Sequence, residues 1–403
     1  MTHMLRIGEK EKAYVMEVLE EQFRTSRSGR MTALLERRFA ETFHSGYAIS
    51  FVNGTATMHA ALAAMGVGPG DEVIVPPLTM SSTSLAVLHA GATPVFADID
   101  PHTWTVDPEA VRRCVTARTR AIIPVALYGL PPDMPAIMAI ASEHGLGVIE
   151  DDAQCFLGSI DGRVAGSIAH ASSFSFQSSK HMTSGEGGMV TTSDAGLAER
   201  IRRFANLGYG AVAAEAGGSK IPREAIQSPA YDRHLSIGWN YRMPDLCAAV
   251  ALAQLERLEE LVEQRRAAAG ILRAAAAECR WLVPQHVPNG YGHAYWCFTV
   301  RLDHGGRFNW HDFRTRFLEF GGDPFYAAWK LTYLEPALHL KTLTPQQTCT
   351  YCEGLCPVAE SLQPALIQFK TNYFDLDRAR AQGEALRRTT AYFDRFSRTS
   401  VPI

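Results

Sequence analysis

Three features of the sequence predict an α/β fold: a large, mostly parallel sheet domain followed by a smaller α+β C-terminal domain. Between about residues 45 and 200, short β-rich runs alternate with apolar-periodic stretches of helical spacing. Some of the runs are apolar at nearly every position, as a strand covered on both faces requires. The chain has 403 residues, more than one simple core accommodates, so two domains are expected.

The β-rich runs are residues 72–77 (EVIVPP), 93–100 (TPVFADID), 120–129 (RAIIPVALYG), 146–152 (LGVIEDD), 171–177 (ASSFSFQ) and 187–192 (GGMVTT). Segments such as ATMHAALAAMG and PPDMPAIMAIASEHG lie between them and read as helices. A long helix is expected from about Ala248 to Glu278, where Leu252, Leu255, Leu258, Leu261 and Val262 recur at helical spacing. It would bridge a large domain, residues 1–260, to a small one, residues 261–403, in which YWCFTVRL reads as a strand. The N-terminal segment reads as an amphipathic helix with Leu5, Val15, Leu19 and Phe23 along one face. Ala211–Pro229, rich in Gly, Ala and polar residues, is expected to be a mobile surface loop.

A net charge of −3 with acids and bases intermixed speaks against nucleic acid or a membrane surface as partner. No apolar run reaches the roughly 20 residues that cross a bilayer, and the N-terminus lacks the apolar core of a signal peptide, so a cytoplasmic location is expected. The 8 cysteines are scattered, which argues against a disulfide framework. Cys349, Cys352 and Cys356 have a spacing that could hold a metal or an iron–sulfur centre, but no fourth ligand is evident, and no metal site is expected.

Three segments carry the chemistry. Asn53-Gly54-Thr55-Ala56 stands directly before a helix, where free N–H groups and a hydroxyl make an anion site and a glycine lets backbone approach closely. Glu150-Asp151-Asp152-Ala153-Gln154 closes a predicted parallel strand, at the edge where open α/β sheets bind ligands. Three successive acids cannot all be buried without partners, so only one is expected to act. The third segment, SFSFQSSKHMTSGEGG, sets Lys180 among small hydroxyl and apolar residues, an environment that suits a lysine of lowered pKa for imine chemistry.

In this order and spacing, the three segments resemble the sugar aminotransferases of the DegT/DnrJ/EryC1/StrS family. These are fold-type I enzymes dependent on pyridoxal 5'-phosphate (PLP) that act on keto-sugars and keto-cyclitols. The resemblance implies that Lys180 forms the Schiff base with PLP, that Asp151 pairs with the pyridine nitrogen, and that Gln154 lies beside the ring. It further implies that Thr55 and Ser175, with the Gly54–Ala56 turn, hold the phosphate, and that Asn240 of GWNYRMPDLCAA reaches the phosphate of a neighbouring subunit in a homodimer. Met80 stands where the family usually stacks an aromatic on the ring; a thioether on the ring face and a plain core side chain are both open. For substrate contact the candidates are His181, His293, Tyr295, Trp296, Phe325, Tyr326, Trp329 and Lys330. The implied activity is amino transfer from L-glutamate or L-glutamine to a keto-sugar or keto-cyclitol. Two alternatives stay open: a PLP-dependent dehydratase or carbon–carbon bond-forming relative, and a PLP-binding regulatory protein without turnover.

Overall fold

Apolar runs of four or five residues become the strands of one seven-stranded sheet: β1 (Tyr47–Phe51), β2 (Glu72–Val75), β3 (Thr93–Phe96), β4 (Thr119–Ile122), β5 (Gly147–Asp151), β6 (Ala171–Ser175) and β7 (Gly188–Thr192). The computed structural model describes residues 5–23, 29–215, 223–339 and 351–397. The strand order is β1-β7-β6-β5-β4-β2-β3. Strands β3, β2, β4, β5 and β6 pair in parallel, and β7 runs antiparallel to both β6 and β1. The expected large, mostly parallel sheet is therefore present. Strand β1 is an addition: YAISF is too short and mixed to stand out, and pairing with β7 gives it its place.

The strands are shorter than the apolar runs because proline lacks an N–H to donate. Strand β2 stops before Pro76 and Pro77, and β4 before Pro124. Beyond β3 the chain turns to other work, since Asp98 accepts hydrogen bonds from the N–H groups of Val358 and Ala359, 2.8 and 3.0 Å away.

The helix expected over 248–278 is two helices, Asp245–Leu255 and Leu258–Ala276, broken at Glu256 and Arg257. Those two side chains are engaged by the N-terminal helix Glu9–Glu20: Glu256 pairs with Lys10 at 2.8 Å and Arg257 with Glu11 at 3.1 Å. The first helix is buried nearly all round, whereas the second buries one stripe, so a break lets each present the face it needs. The N-terminal helix also corrects an expectation. Its buried side runs through Glu11 and Val18, while Leu5, Leu19 and Phe23 are exposed on the single chain. Glu11 can face inward because Gly8 N–H, Gln254 and Arg257 satisfy its carboxylate.

A second, antiparallel sheet joins Leu282–Pro284, Cys297–Leu302, Leu366–Lys370 and Tyr326–Ala327, in that spatial order. Helices Leu258–Ala276 and Leu376–Ser397 pack beside it around Phe298, Phe313, Phe317, Phe325 and Phe369. Phe325 is 4% exposed and belongs to this core, which removes it from the candidates for sugar stacking. Within Ala211–Pro229, residues 223–227 form a short helix and 216–222 lie outside the described residues. Cys349 likewise lies outside them; Cys352 is exposed and Cys356 buried, and among the described residues no group of three ligands is placed to hold a metal.

One turn links the two sheets. Gly129 adopts φ +109°, and its carbonyl accepts from Ala294 N–H at 2.8 Å. A Cβ there would meet the Tyr295 nitrogen at 2.6 Å, so both conformation and space demand glycine. Gly129→Ala should lower the unfolding free energy by about 2–4 kcal/mol, read from the shift of the urea midpoint at constant slope.

Candidate active site

Because β5 and β6 are parallel and neighbours, their C-terminal ends reach the same edge of the sheet. Strand β1, antiparallel to β7 as β6 is, ends at that edge too and feeds the helix Gly54–Ala64. Asp151 closes β5, Ser175 closes β6 with Lys180 five residues on, and Asn53-Gly54-Thr55 opens the helix. All three segments line one cavity of about 340 Å3. Met80, Gln154, Trp296 and Trp329 complete its wall.

Local chemistry explains each placement. Asn53 caps the helix, its side-chain oxygen accepting from Ala56 N–H at 2.8 Å. Ala56 is thus buried with its N–H already donated, and the N–H groups of Gly54 and Thr55 carry the positive end of the helix. A Cβ on Gly54 would come within 2.9 Å of the Ser175 Cβ, so only glycine lets the helix start this close to β6.

Asp151 is buried, accepting from Thr83 Oγ1 at 2.9 Å and Ala153 N–H at 3.2 Å. Burial raises its carboxyl pKa against these hydrogen bonds and the attraction of Lys180. Lys180 is pushed down to about 8: burial lowers it, Asp151 works against the fall, and the Arg265 cation adds to it. Its amine lies 4.9 Å from the Trp296 ring centroid. Gln154 is buried, accepting from Tyr128 N–H at 2.8 Å. Glu150 and Asp152 are also buried, with Glu150 accepting from Gly166 N–H at 2.6 Å; neither lines the cavity. Burial pushes both carboxyls up, and the negative charge of Glu150 raises Asp152 further, so the pair retains protons that lone carboxyls would lose.

Of the predicted site residues, Gly54, Thr55, Met80, Asp151, Gln154, Ser175, Lys180, Trp296 and Trp329 converge on the cavity. Met80 is 51% exposed, which overturns the reading of it as core. His181 is buried behind the lysine loop, donating from Nε2 to the Ala294 carbonyl at 2.9 Å. His293 donates from Nε2 to Gln285 Oε1 at 3.1 Å, accepts Tyr295 N–H at 2.8 Å and stacks on the Tyr295 ring at 3.8 Å. These three lie outside the cavity lining, as do the exposed Tyr326 and Lys330. Asn240 is exposed in a segment that also exposes Leu235, Ile237 and Trp239, and it lines a separate cavity with Arg202 and Arg242.

Sequence reasoning missed Thr83, Gln177, Ser179, Glu186 and Arg265. For Arg265 a signal existed: it falls on the stripe of Leu258, Leu261, Val262, Ala268, Ala269 and Leu272, the buried face of its helix.

The donor set fits PLP. A buried carboxylate that lacks a full cationic partner faces one part of the cavity, and hydroxyls with a helix N-terminus form another, suited to a phosphate. Lys180 lines the same space, with an amine shifted towards its nucleophilic neutral form.

Comparison with known proteins agrees with this geometry. A sequence profile of the DegT/DnrJ/EryC1/StrS aminotransferase family matches residues 5–376. The chain is 38% identical to a GDP-perosamine synthase of Caulobacter vibrioides over 301 residues, 74% of this chain and 76% of that one. It is 37% identical to a UDP-N-acetyl-3-dehydro-alpha-D-glucosamine 3-aminotransferase of Acidithiobacillus ferrooxidans, covering 68% and 69%. An aminotransferase structure from Psychrobacter cryohalolentis superposes with a TM-score of 0.83 at 30% identity, covering 97% of this chain and 98% of that one. A profile match over nearly the whole chain and these relatives lead to one conclusion: the chain belongs to the DegT/DnrJ/EryC1/StrS family and is a PLP-dependent aminotransferase.

Proposed function

We propose that this enzyme moves the amino group of L-glutamate or L-glutamine to the ketone of a sugar or cyclitol, with Lys180 as the residue that bonds the cofactor covalently. The observation that carries the reading is the convergence of Lys180, Asp151 and the start of helix Gly54–Ala64 on one cavity. The names of the relatives, a GDP-perosamine synthase and a nucleotide-sugar 3-aminotransferase, support a nucleotide-linked keto-sugar as acceptor.

When bound, PLP supplies an electron sink and carries the amino group between donor and acceptor. The chain's own residues do the rest. Asp151 holds a proton on the ring nitrogen, a cation that repays the cost of burying its carboxylate. Thr55, Ser175 and the N–H groups of Gly54 and Thr55 hold the phosphate and so orient the ring. Gln154, fixed by Tyr128, would lie beside the ring, and Met80, in the same cavity wall, would cover a face of it through its thioether. Lys180 Nζ, as a free amine, would move a proton between the substrate carbon and the cofactor carbon that carries the nitrogen. At a pKa of about 8, about a tenth of it is neutral at pH 7, against less than about a thousandth of an ordinary lysine. Trp296 and Trp329, with ring centroids 5.7 Å apart, are the substrate-facing wall; His181, His293 and Tyr295 brace it from behind.

The active unit in this proposal is a homodimer in which Asn240 completes the partner's phosphate site. The exposed Leu235, Ile237 and Trp239 beside Asn240, and Leu5, Leu19 and Phe23 near the N-terminus, support it as apolar surface that an interface would cover. A division of the chain near residue 260 into large and small domains belongs to the same proposal.

The purified holoenzyme should be yellow and bleach on adding L-glutamate or L-glutamine, and Lys180→Ala should lose that band. Protein that stays colourless with added PLP would refute the assignment. Asp151→Asn should slow the donor half-reaction about 10²-fold or more, seen as slower bleaching under saturating donor. In the PLP-free protein, acylation of Lys180 should be half-maximal near pH 8. Mixing inactive Lys180→Ala and Asn240→Ala proteins in equal amounts should restore about a quarter of wild-type activity, because half the dimers are hybrids and each has one intact site. No recovery would exclude a shared site.

A further inference from the structure

Arg265 is 4% exposed, and among the described residues its hydrogen-bond partners are neutral oxygens, with no carboxylate. Its Nη2 donates to the carbonyls of Ser179 and Lys180, both at 2.8 Å. Its Nη1 donates to the Trp296 carbonyl at 2.8 Å and to Thr371 Oγ1 at 3.4 Å. The two carbonyls on Nη2 flank the Lys180 Cα, so the backbone from which the lysine springs is pinned on both sides. Trp296, held on the other nitrogen, also donates from its indole N–H to the Ser179 carbonyl at 3.0 Å, and its ring forms the wall beside the lysine amine. Thr371 Oγ1 in turn donates to the carbonyls of Tyr295 and Trp296. One guanidinium thus gathers the lysine loop, the entry to strand Cys297–Leu302 and the end of strand Leu366–Lys370.

Folding energetics alone do not account for a cation here. A buried charge without an anionic partner is generally less stabilising than an apolar side chain of similar volume. Planarity and five donors make a guanidinium the side chain that can span oxygens from three segments.

We propose that Arg265 is a positioning residue for the amino-transfer reaction: it fixes the Lys180 backbone against the Trp296 wall and holds a positive charge close to the lysine amine. This inference rests on the assignment of Lys180 as the cofactor-bonding residue. The charged or titratable groups that act on that amine are Asp151 at the end of β5, Arg265 on helix Leu258–Ala276, Cys297 at the start of its strand and Glu186 in the loop after the lysine, while the adjacent His181 is kept neutral by burial. Arg265 alone among these opposes the ammonium form. Arg6, which donates to the Ser178 and Lys180 carbonyls, adds a second cation beside Arg265 itself.

The test compares wild type, Arg265→Gln and Arg265→Lys, each checked for folding by circular dichroism. Two readouts are used: the pH midpoint of Lys180 acylation in PLP-free protein, and the rate of donor bleaching of the holoenzyme. Arg265→Gln should raise the midpoint by about 1 pH unit, the size expected for removing a neighbouring charge. It should also slow bleaching about 30-fold at saturating donor with donor affinity nearly unchanged, as a displaced catalytic group does. Arg265→Lys, which keeps the charge but cannot bridge the same oxygens, should show a near-wild-type midpoint with a rate still reduced. A folded Arg265→Gln with wild-type midpoint and rate would overturn the proposal. If Arg265→Gln does not fold, Arg265→Lys decides, and a wild-type rate there would overturn it equally. Failure of the Lys180 assignment reads differently: a yellow, donor-bleachable Lys180→Ala protein, whatever the Arg265 variants do.

Discussion

Lys180, half-buried at the cavity, carries a primary amine into a space where loss of water outweighs the attraction of a nearby carboxylate, and the rest of the site is arranged around that imbalance. An exposed lysine is a solvated cation and a poor nucleophile; desolvation removes the hydration that holds the proton. Asp151 works against that loss, since opposite charges in a low dielectric attract strongly. The buried cation of Arg265 counteracts it, and Trp296 supplies a wall that is apolar yet tolerant of positive charge through its ring face. The same burial raises the Asp151 carboxyl, against its hydrogen bonds and the attraction of Lys180.

Sheet topology makes this arrangement possible. Parallel neighbours end at one edge, so residues far apart in sequence, Asp151 and Ser175, meet without any long loop. Reversing β7 lets β1 join the sheet in the sense of β6 and deliver a helix N-terminus to that edge. Small side chains set the spacing: Gly54 admits the Ser175 Cβ, and Gly129 admits the Tyr295 backbone, bringing Trp296 from the second sheet onto the cavity.

Several buried or half-buried polar groups hold these pieces in register. Glu11 seats the N-terminal helix against the junction of the two helices that follow residue 245, and Asp98 caps the short helix Pro357–Leu362. His181 and His293, both kept neutral by burial, hydrogen-bond the backbone and side chains behind the aromatic wall. Glu11, Asp98 and His181 take partners from distant segments, which ties those segments together in one arrangement.

The sequence by itself determined the fold class, six of the runs that become sheet strands and the three segments that form the cavity. Those are local signals: β-rich runs, proline stops, a glycine before a helix, a lysine among hydroxyls. It also singled out Asp151, the one of three successive acids that lines the cavity, through resemblance and not through periodicity. Tertiary structure decided the rest. Strand β1 exists because β7 pairs with it, and the helix break at Glu256 and Arg257 because an N-terminal helix claims those side chains. Phe325 is core and Met80 is cavity wall, a distinction that hydrophobicity cannot draw because both are large and apolar. Arg265 reads as an ordinary helix cation until four oxygens from three other segments close around it. Burial and partner choice depend on what the remainder of the chain brings near a residue, and that information lies in the packing of distant segments, outside any local window of sequence.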